Sequence, residues 1–284
     1  MAKRNENKIE DILHGVRDTT GINLYGGSAA EFFKFLKSKY NFSDIRPITS
    51  IICNSFCLGR DGTGRKLFIK SGHHTGIYEN EFLMGRALYE IDSRYFLEPL
   101  YYNDYDKYNF FANEFVTGTT LRAIIDNGTA TPEMRAKMVG DIWRIFSAMR
   151  RSDVVHRDIR PENLMWIDDR LVLIDFQLAV SKTNYVELAY MARHKNRLRN
   201  LGGKKFRYRP FTWDDAYSLM KCLEFIGRDQ YYGRRYDVIH HHIKSYIGTD
   251  TIQSSVRESG VGRLARHIRG RRYSSRHGIN TGQV

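Results

Sequence analysis

The side chains best able to do chemistry lie in two neighbouring stretches, Val154-Val155-His156-Arg157-Asp158-Ile159-Arg160-Pro161-Glu162-Asn163-Leu164 and Leu171-Val172-Leu173-Ile174-Asp175-Phe176-Gln177. Pro161 lacks an amide hydrogen and disfavours helix before it, so Asp158 and Asn163 sit on a loop. Asp175 closes the apolar run 171–174, a short buried strand. Two carboxylates and a carboxamide are therefore expected on two loops flanking a hairpin. Phosphoryl transfer asks for such a set. Its transition state spreads negative charge over phosphoryl oxygens, which metal ions and fixed cations neutralise, while one carboxylate orients the attacking hydroxyl and accepts its proton. Magnesium takes oxygen ligands, here a carboxylate, an amide and the nucleotide itself.

The elements that position these groups fall into two kinds. Residues 1–44 read as an N-terminal helical extension, with Ser28 placed to cap a helix over 29–40. Residues 45–118 are β-rich. Ile48–Ile52 and Phe56–Leu58 lead into Arg60-Asp61-Gly62-Thr63-Gly64, a hairpin signal, and Lys66–Lys70 emerges from it. Residues 78–91 have helical periodicity, and strand-like runs follow at 96–102 and 109–116. From 119 to 256 the chain turns mainly helical, with an amphipathic helix at 132–151 that has Pro132 in its first turn and another at 211–226. The order predicts an α+β, bilobal architecture with a hinge near 113–120.

The motifs His156-Arg157-Asp158-(four residues)-Asn163 and Asp175-Phe176-Gln177 resemble the protein-kinase catalytic loop H-R-D-x-x-x-x-N and its magnesium-binding D-F-G. The likeness to the protein-kinase-like superfamily runs from about residue 46 to about 226 and implies a β-rich N-lobe, a helical C-lobe, and ATP and Mg2+ as cofactors. It casts Asp158 as the base and Asn163 and Asp175 as metal ligands. Arg160 stands where serine/threonine kinases carry a lysine near the transferring phosphate, still cationic but as a planar fork. Lys70 matches the strand lysine that holds the α and β phosphates. Glu81 is its expected partner, with Glu79 as competitor. Asn113–Leu121, with Glu114 and Phe115, resembles the hinge whose backbone reads adenine. Asp215 resembles the aspartate that braces the catalytic loop; an N-terminal-turn carboxylate is the alternative.

Three features depart from the pattern. Ile52-Cys53-Asn54-Ser55-Phe56 replaces the glycine-rich loop; Asn54 and Ser55 can donate to phosphates, but the backbone cannot approach as closely as glycine allows. Gln177 replaces the glycine of D-F-G. Tyr208-Arg209-Pro210-Phe211 stands where A-P-E would, and the helical lobe is shortened. These features are similar to small bacterial kinases that phosphorylate cell-surface sugars, such as lipopolysaccharide core kinases. The favoured acceptor is a hydroxyl on an anionic glycan or lipid-linked sugar. A serine/threonine protein kinase is the alternative, in which Arg157 with Ser181, Thr183 and Tyr185 would form a phospho-regulated loop. A pseudokinase or nucleic-acid-binding scaffold comes third, since it has no chemical need for the catalytic set.

Charge supports an anionic partner. The chain of 284 residues has a net charge of +13, concentrated in two stretches. Arg193–Arg209 holds eight Lys or Arg and no acid; the tail 257–284 holds seven Arg and one Glu, leaving the rest close to neutral. The tail, with apolar residues among its arginines, suits peripheral contact with an anionic membrane, though a solvated tail is an equal alternative. No apolar run approaches the roughly 18–20 residues of a spanning helix, and the N-terminus lacks a secretory stretch, so a cytoplasmic protein is expected. Cys53, Cys57 and Cys222 read as packing thiols and His240-His241-His242 as a surface cluster, because consecutive residues point apart.

Overall fold

The computed structural model describes residues 29–51, 54–72, 76–104 and 108–254. Ser28, Cys53 and the basic tail 257–284 lie outside the described residues, as does the extension up to residue 28. The helical elements are α1 (Ala29–Tyr40), α2 (Ile77–Ile91), α3 (Leu121–Asp126), α4 (Pro132–Arg151), α5 (Ala189–Arg193), α6 (Lys195–Asn200), α7 (Gly203–Phe206), α8 (Asp215–Ile226) and α9 (Gly233–Ser245). The strands are β1 (Ser43–Ile51), β2 (Asn54–Arg60), β3 (Lys66–Gly72), β4 (Pro99–Asn103), β5 (Asn109–Glu114), β6 (Thr119–Thr120), β7 (Val154–Val155), β8 (Leu164–Ile167), β9 (Arg170–Leu173), β10 (Val180–Ser181), β11 (Thr212–Trp213) and β12 (Ile252–Gln253).

An antiparallel sheet in the order β1-β2-β3-β5-β4 forms the N-lobe. Alternation along its strands gives it two faces of different chemistry. Cys57, Ile69 and Ala112 are cross-strand partners on the outer face, where Phe32 and Leu36 of α1 pack on them with Leu67 and Phe110. The helix read over 29–40 thus covers the N-lobe sheet rather than standing apart from it. Phe56, Lys70 and Phe111 are partners on the opposite face, as are Leu58, Phe68 and Asn113. The β2–β3 turn is held by Asp61, whose side chain accepts from Thr63 N (2.9 Å), Thr63 Oγ1 (2.6 Å) and Arg65 N (3.0 Å).

The chain passes to the C-lobe through residues 115–118. At Gly118 a Cβ would come within 2.7 Å of Ile167 Cγ1 and of the Trp166 carbonyl oxygen, so only glycine lets the connection lie against β8. The C-lobe core forms on α4, whose Met138, Ile142, Ile145 and Met149 make a buried stripe at helical spacing against α8 and α9. Thr131 caps α4 by accepting from Met134 N (3.2 Å), and Pro132 opens it. The last helix of the sequence reading starts four residues late. Phe211 has φ 62°, Thr212–Trp213 pairs with β12, and the Asp214 side chain caps α8 through Tyr217 N (2.9 Å). Tertiary pairing with β12 outcompetes helix there.

Candidate active site

The hairpin β8–β9 brings two sequence-distant oxygen donors together. Leu164 pairs with Leu173, and Ile174 N donates to the Asn163 carbonyl at 3.0 Å, so Asn163 and Asp175 end adjacent strands side by side. The hairpin turn uses Asp168 and Asp169, both at positive φ, as a tight two-residue connection requires. Asp158 precedes a 3-10 turn, Pro161–Asn163, which folds Asn163 back: its Nδ2 donates to the Asp158 carbonyl (2.9 Å) and to Asp158 Oδ2 (3.1 Å). The other Asp158 oxygen accepts from Gly202 N at 2.9 Å, and Arg160 Nε lies 3.5 Å from Oδ2.

Two non-glycine residues here are in the left-handed region, Arg157 (φ 66°) and Asp175 (φ 69°). Each costs about 1–3 kcal/mol, held only where surroundings over-determine the backbone. Asp215 supplies that for the catalytic loop, accepting from His156 N (2.6 Å) and Arg157 N (3.3 Å). His156 is fully buried; its Nδ1 accepts from Asp158 N (3.2 Å) and its Nε2–H points at the Ile174 carbonyl (3.0 Å). Burial pushes its imidazole down to about 4, so it is a neutral strut between the two loops. Asn80 of α2 pins the turn after Asp175 by donating to the Ala179 carbonyl at 2.9 Å. Phe176 packs on His156 and Phe96.

Lys70 connects the lobes. Its Nζ lies 2.8 Å from Glu81 Oε1, 3.1 Å from Glu81 Oε2 and 2.8 Å from Asp175 Oδ1. Burial pulls the ammonium down, but the Asp175 and Glu81 carboxylates outweigh it and hold Lys70 above its ordinary value. Asp175 goes the other way: burial raises it, and the adjacent Lys70 keeps it below the usual carboxylate range. Glu79 turns away, accepting from the Tyr102 hydroxyl at 3.2 Å. Asp158 is pushed up to about 6 by burial and by the Asp175 charge, against the opposing pull of Arg160 and of the Gly202 and Asn163 N–H groups. A carboxylate poised there can take a proton near neutral pH.

Asp175 offers a carboxylate, and Asn163, with its nitrogen committed to Asp158, turns its carbonyl oxygen the other way. These hard oxygens suit Mg2+. Among the described residues no group of three or more His, Cys, Asp or Glu forms a metal cage, so an ion at this pair would take its other ligands from phosphate and water, as magnesium does in nucleotide sites.

The remaining residues singled out in the sequence fall as follows. Asn54 opens β2 opposite Gly72, with its side chain outside the described residues; Ser55 is buried, paired with Ser71. β1 and β2 pair up to Ile51 and Asn54, leaving two residues where a glycine-rich loop would run. The N–H groups of Glu114 and Phe115 are spent on Glu98 O (3.3 Å) and Lys66 O (3.0 Å), and the Glu114 carbonyl accepts from Asn113 Nδ2 (3.1 Å), so three of the four backbone groups of this pair already have protein partners. His240 faces Glu224 and His242 packs on Trp143, while His241 is exposed. Cys57 lies in the sheet core, its thiol pushed up to about 12 by burial.

Three contributors escape the sequence reading. Phe56 and Phe68 stack at 5.7 Å on the face that carries Lys70; the signal was available, because Phe68 stands two residues before Lys70 on one strand. Gly202 reaches Asp158 across 44 residues, and only its place in Gly202-Gly203 hinted at special backbone.

Residues 100–217 match the model of APH, the phosphotransferase enzyme family. The match spans β4 to the first turn of α8 and takes in Asp158, Asn163, Asp175 and Asp215. No curated protein matches the chain. With the β-rich lobe and helical lobe meeting at Lys70 and Asp175, this match supports a kinase-type phosphotransfer enzyme with a kinase-like bilobal fold.

Proposed function

We propose that the chain transfers the γ-phosphate of ATP to a hydroxyl on an anionic cell-envelope glycan, such as a lipopolysaccharide core sugar. Asp158 orients that hydroxyl and takes its proton. Lys70, fixed by Glu81, holds the α and β phosphates, and Arg160 sits beside Asp158 as a cation for the moving phosphoryl group. Asn163 and Asp175 would hold Mg2+, which neutralises phosphate charge when bound. Phe56 and Phe68 cover the nucleotide base.

One observation carries the choice of acceptor. The Asp158 carboxylate is hydrogen-bonded to Gly202, in the middle of the basic stretch 193–209. An acceptor reaching Asp158 therefore meets a wall carrying exposed Arg193, Lys195, Lys204 and Lys205 and no acid. A local positive field concentrates acceptors that already bear phosphate or carboxylate. Ser254, three residues before the second basic stretch in sequence, donates its N–H to Phe211 O at 2.9 Å, two residues after Arg209. This supports peripheral contact with an anionic membrane on the cytoplasmic side. Among the described residues no helix is long and apolar enough to cross a membrane.

Incubation with labelled ATP and a crude envelope fraction tests the acceptor. Label in glycan or lipid is the expected result; label confined to protein would overturn the sugar reading in favour of a protein kinase. Sedimentation with anionic vesicles, with and without residues 257–284, tests the membrane contact, and equal binding by both removes it.

A further inference from the structure

Immediately before the catalytic aspartate, Arg157 carries a guanidinium that is entirely buried. Its Nη1 lies 3.0 and 3.1 Å from the two Glu187 oxygens, its Nε donates to Leu178 O at 2.6 Å, and its Cζ stands 5.0 Å from the centre of the Trp213 ring. Glu187 is itself nearly sealed, with a side-chain exposure of 6%. It also accepts from the Tyr185 hydroxyl (2.5 Å) and from Ser254 Oγ (3.2 Å). One carboxylate thus ties together the catalytic loop, the segment beyond Asp175 and the strand pair β11–β12.

The three hydroxyls that the sequence offers for regulation are turned the wrong way to serve it. Ser181 and Thr183 both donate to Asp153, Thr183 at 3.0 Å, and Tyr185 donates to Glu187. A phosphate on any of them brings about −1.5 to −2 charge directly against a carboxylate, which repels rather than orders. The backbone on either side is fastened without it. Thr183 N donates to Asp153 (2.9 Å), and Lys182 Nζ caps the end of α4 at Met149 O (3.1 Å) and Ser152 O (2.9 Å).

We propose that Glu187 is a positioning residue of the phosphotransfer site: a permanent carboxylate that holds Arg157, and through it Asp158 and the segment beyond Asp175, in working geometry without any phosphorylation of that segment. The inference rests on the phosphotransferase reading but adds a regulatory statement to it. A buried guanidinium needs a charged partner, and a built-in glutamate supplies by sequence what a modified hydroxyl supplies elsewhere by signalling. The basic wall begins six residues after Glu187, so the same latch sets where the acceptor docks.

The test uses the full chain, treated with a broad-specificity phosphatase and checked by intact mass, with ATP turnover and limited trypsin cleavage within 182–209 as readouts. The dephosphorylated wild type keeps its turnover and resists cleavage. Glu187→Gln loses kcat by about tenfold with KM for ATP nearly unchanged, and its segment is cut; Glu187→Asp recovers part of both. If Glu187→Gln fails to fold, Tyr185→Phe and Ser254→Ala each remove one hydroxyl donor without stranding a charge, and each lowers kcat about twofold. Loss of turnover on phosphatase treatment, or a Glu187→Gln protein equal to wild type in both readouts, overturns the proposal. A wild type with no turnover on any acceptor counts against the phosphotransferase reading alone, since the cleavage pattern still decides the latch.

Discussion

Two buried cations serve this site, Arg157 within the loop of Asp158 and Lys70 on β3, and they are built differently. Lys70 is an ammonium shared between Glu81, whose side chain is 4% exposed, and Asp175, which is 36% exposed. Arg157 is a guanidinium with no exposure, its Nη1 held by both Glu187 oxygens and its Nε by the Leu178 carbonyl, while Nη2 is buried without a hydrogen-bond partner. A point charge with three rotatable donors can pass one of them to an arriving phosphate while keeping Glu81; a planar fork sealed from solvent and fixed through Nη1 and Nε has no such freedom. In the proposed roles, one cation meets substrate and the other sets position. Asp158 follows Arg157 directly in the chain, and Lys70 pairs with Asp175, the carboxylate proposed for the metal.

The largest effect belongs to the group both sides serve. Asp158→Ala removes the proposed proton acceptor and is expected to lower kcat by about a thousandfold, with nucleotide binding by calorimetry largely retained. Loss of nucleotide binding instead, with residual turnover intact, would move the base elsewhere. Paired replacements then separate the two cations. Lys70→Met strands Glu81 in the core, destabilising by about 3–5 kcal/mol; Lys70→Met/Glu81→Leu recovers the melting temperature but not turnover. Arg157→Met/Glu187→Leu likewise recovers stability, and because its pair acts through position it also recovers part of kcat. Equal turnover in the two double variants would erase the distinction.

The pH dependence sharpens the same division. In its proposed role as base Asp158 must be ionised, and its carboxyl is held at about 6. Turnover is therefore lost as pH falls through about 6 and reaches its plateau above it. Arg160 pulls that value down, so Arg160→Gln moves the acid limb to higher pH. His156, at about 4, stays neutral throughout and adds no limb of its own. A smaller effect is expected above the cleft: Phe68→Ala removes half of the aromatic stack and raises KM for ATP about tenfold, with kcat nearly unchanged.

The sequence carried this site unevenly, for physical reasons. Asp158, Asn163 and Asp175 were legible because one loop and one hairpin hold them, and local chain chemistry such as Pro161 and the 171–174 run reports on such short-range structure. Helix α4 was legible from its period and from Pro132, and α1 was placed at its observed bounds. Lys70 and Glu81 lie on separate elements, and the choice between Glu81 and Glu79 turned on where α2 begins and how it faces the sheet. Asp104 decides that face: fully buried, it accepts from Glu79 N at 2.6 Å at the start of α2, and no pattern in the sequence links position 104 to 79. Gly202 and Glu187 were hidden for the same reason. A contact spanning 30 or 44 residues leaves no periodic trace.

A control of the smallest size completes the comparison. If position is what Glu187 supplies, an unrelated loss of stability should leave catalysis alone. Thr131 caps α4 at the end farthest along that helix from Ser152 and the catalytic loop, through one bond to Met134 N. Thr131→Ala forfeits that bond and costs about 1 kcal/mol, a fall of about 2 °C in Tm, while kcat and the trypsin pattern across 182–209 stay those of wild type. The helix keeps Pro132 at its start and its buried stripe against α8, so nothing transmits the lost cap to Asp158. A drop in kcat here, comparable to that of Tyr185→Phe, would mean that turnover follows global stability, and the special standing given to the Arg157 side would be lost with it.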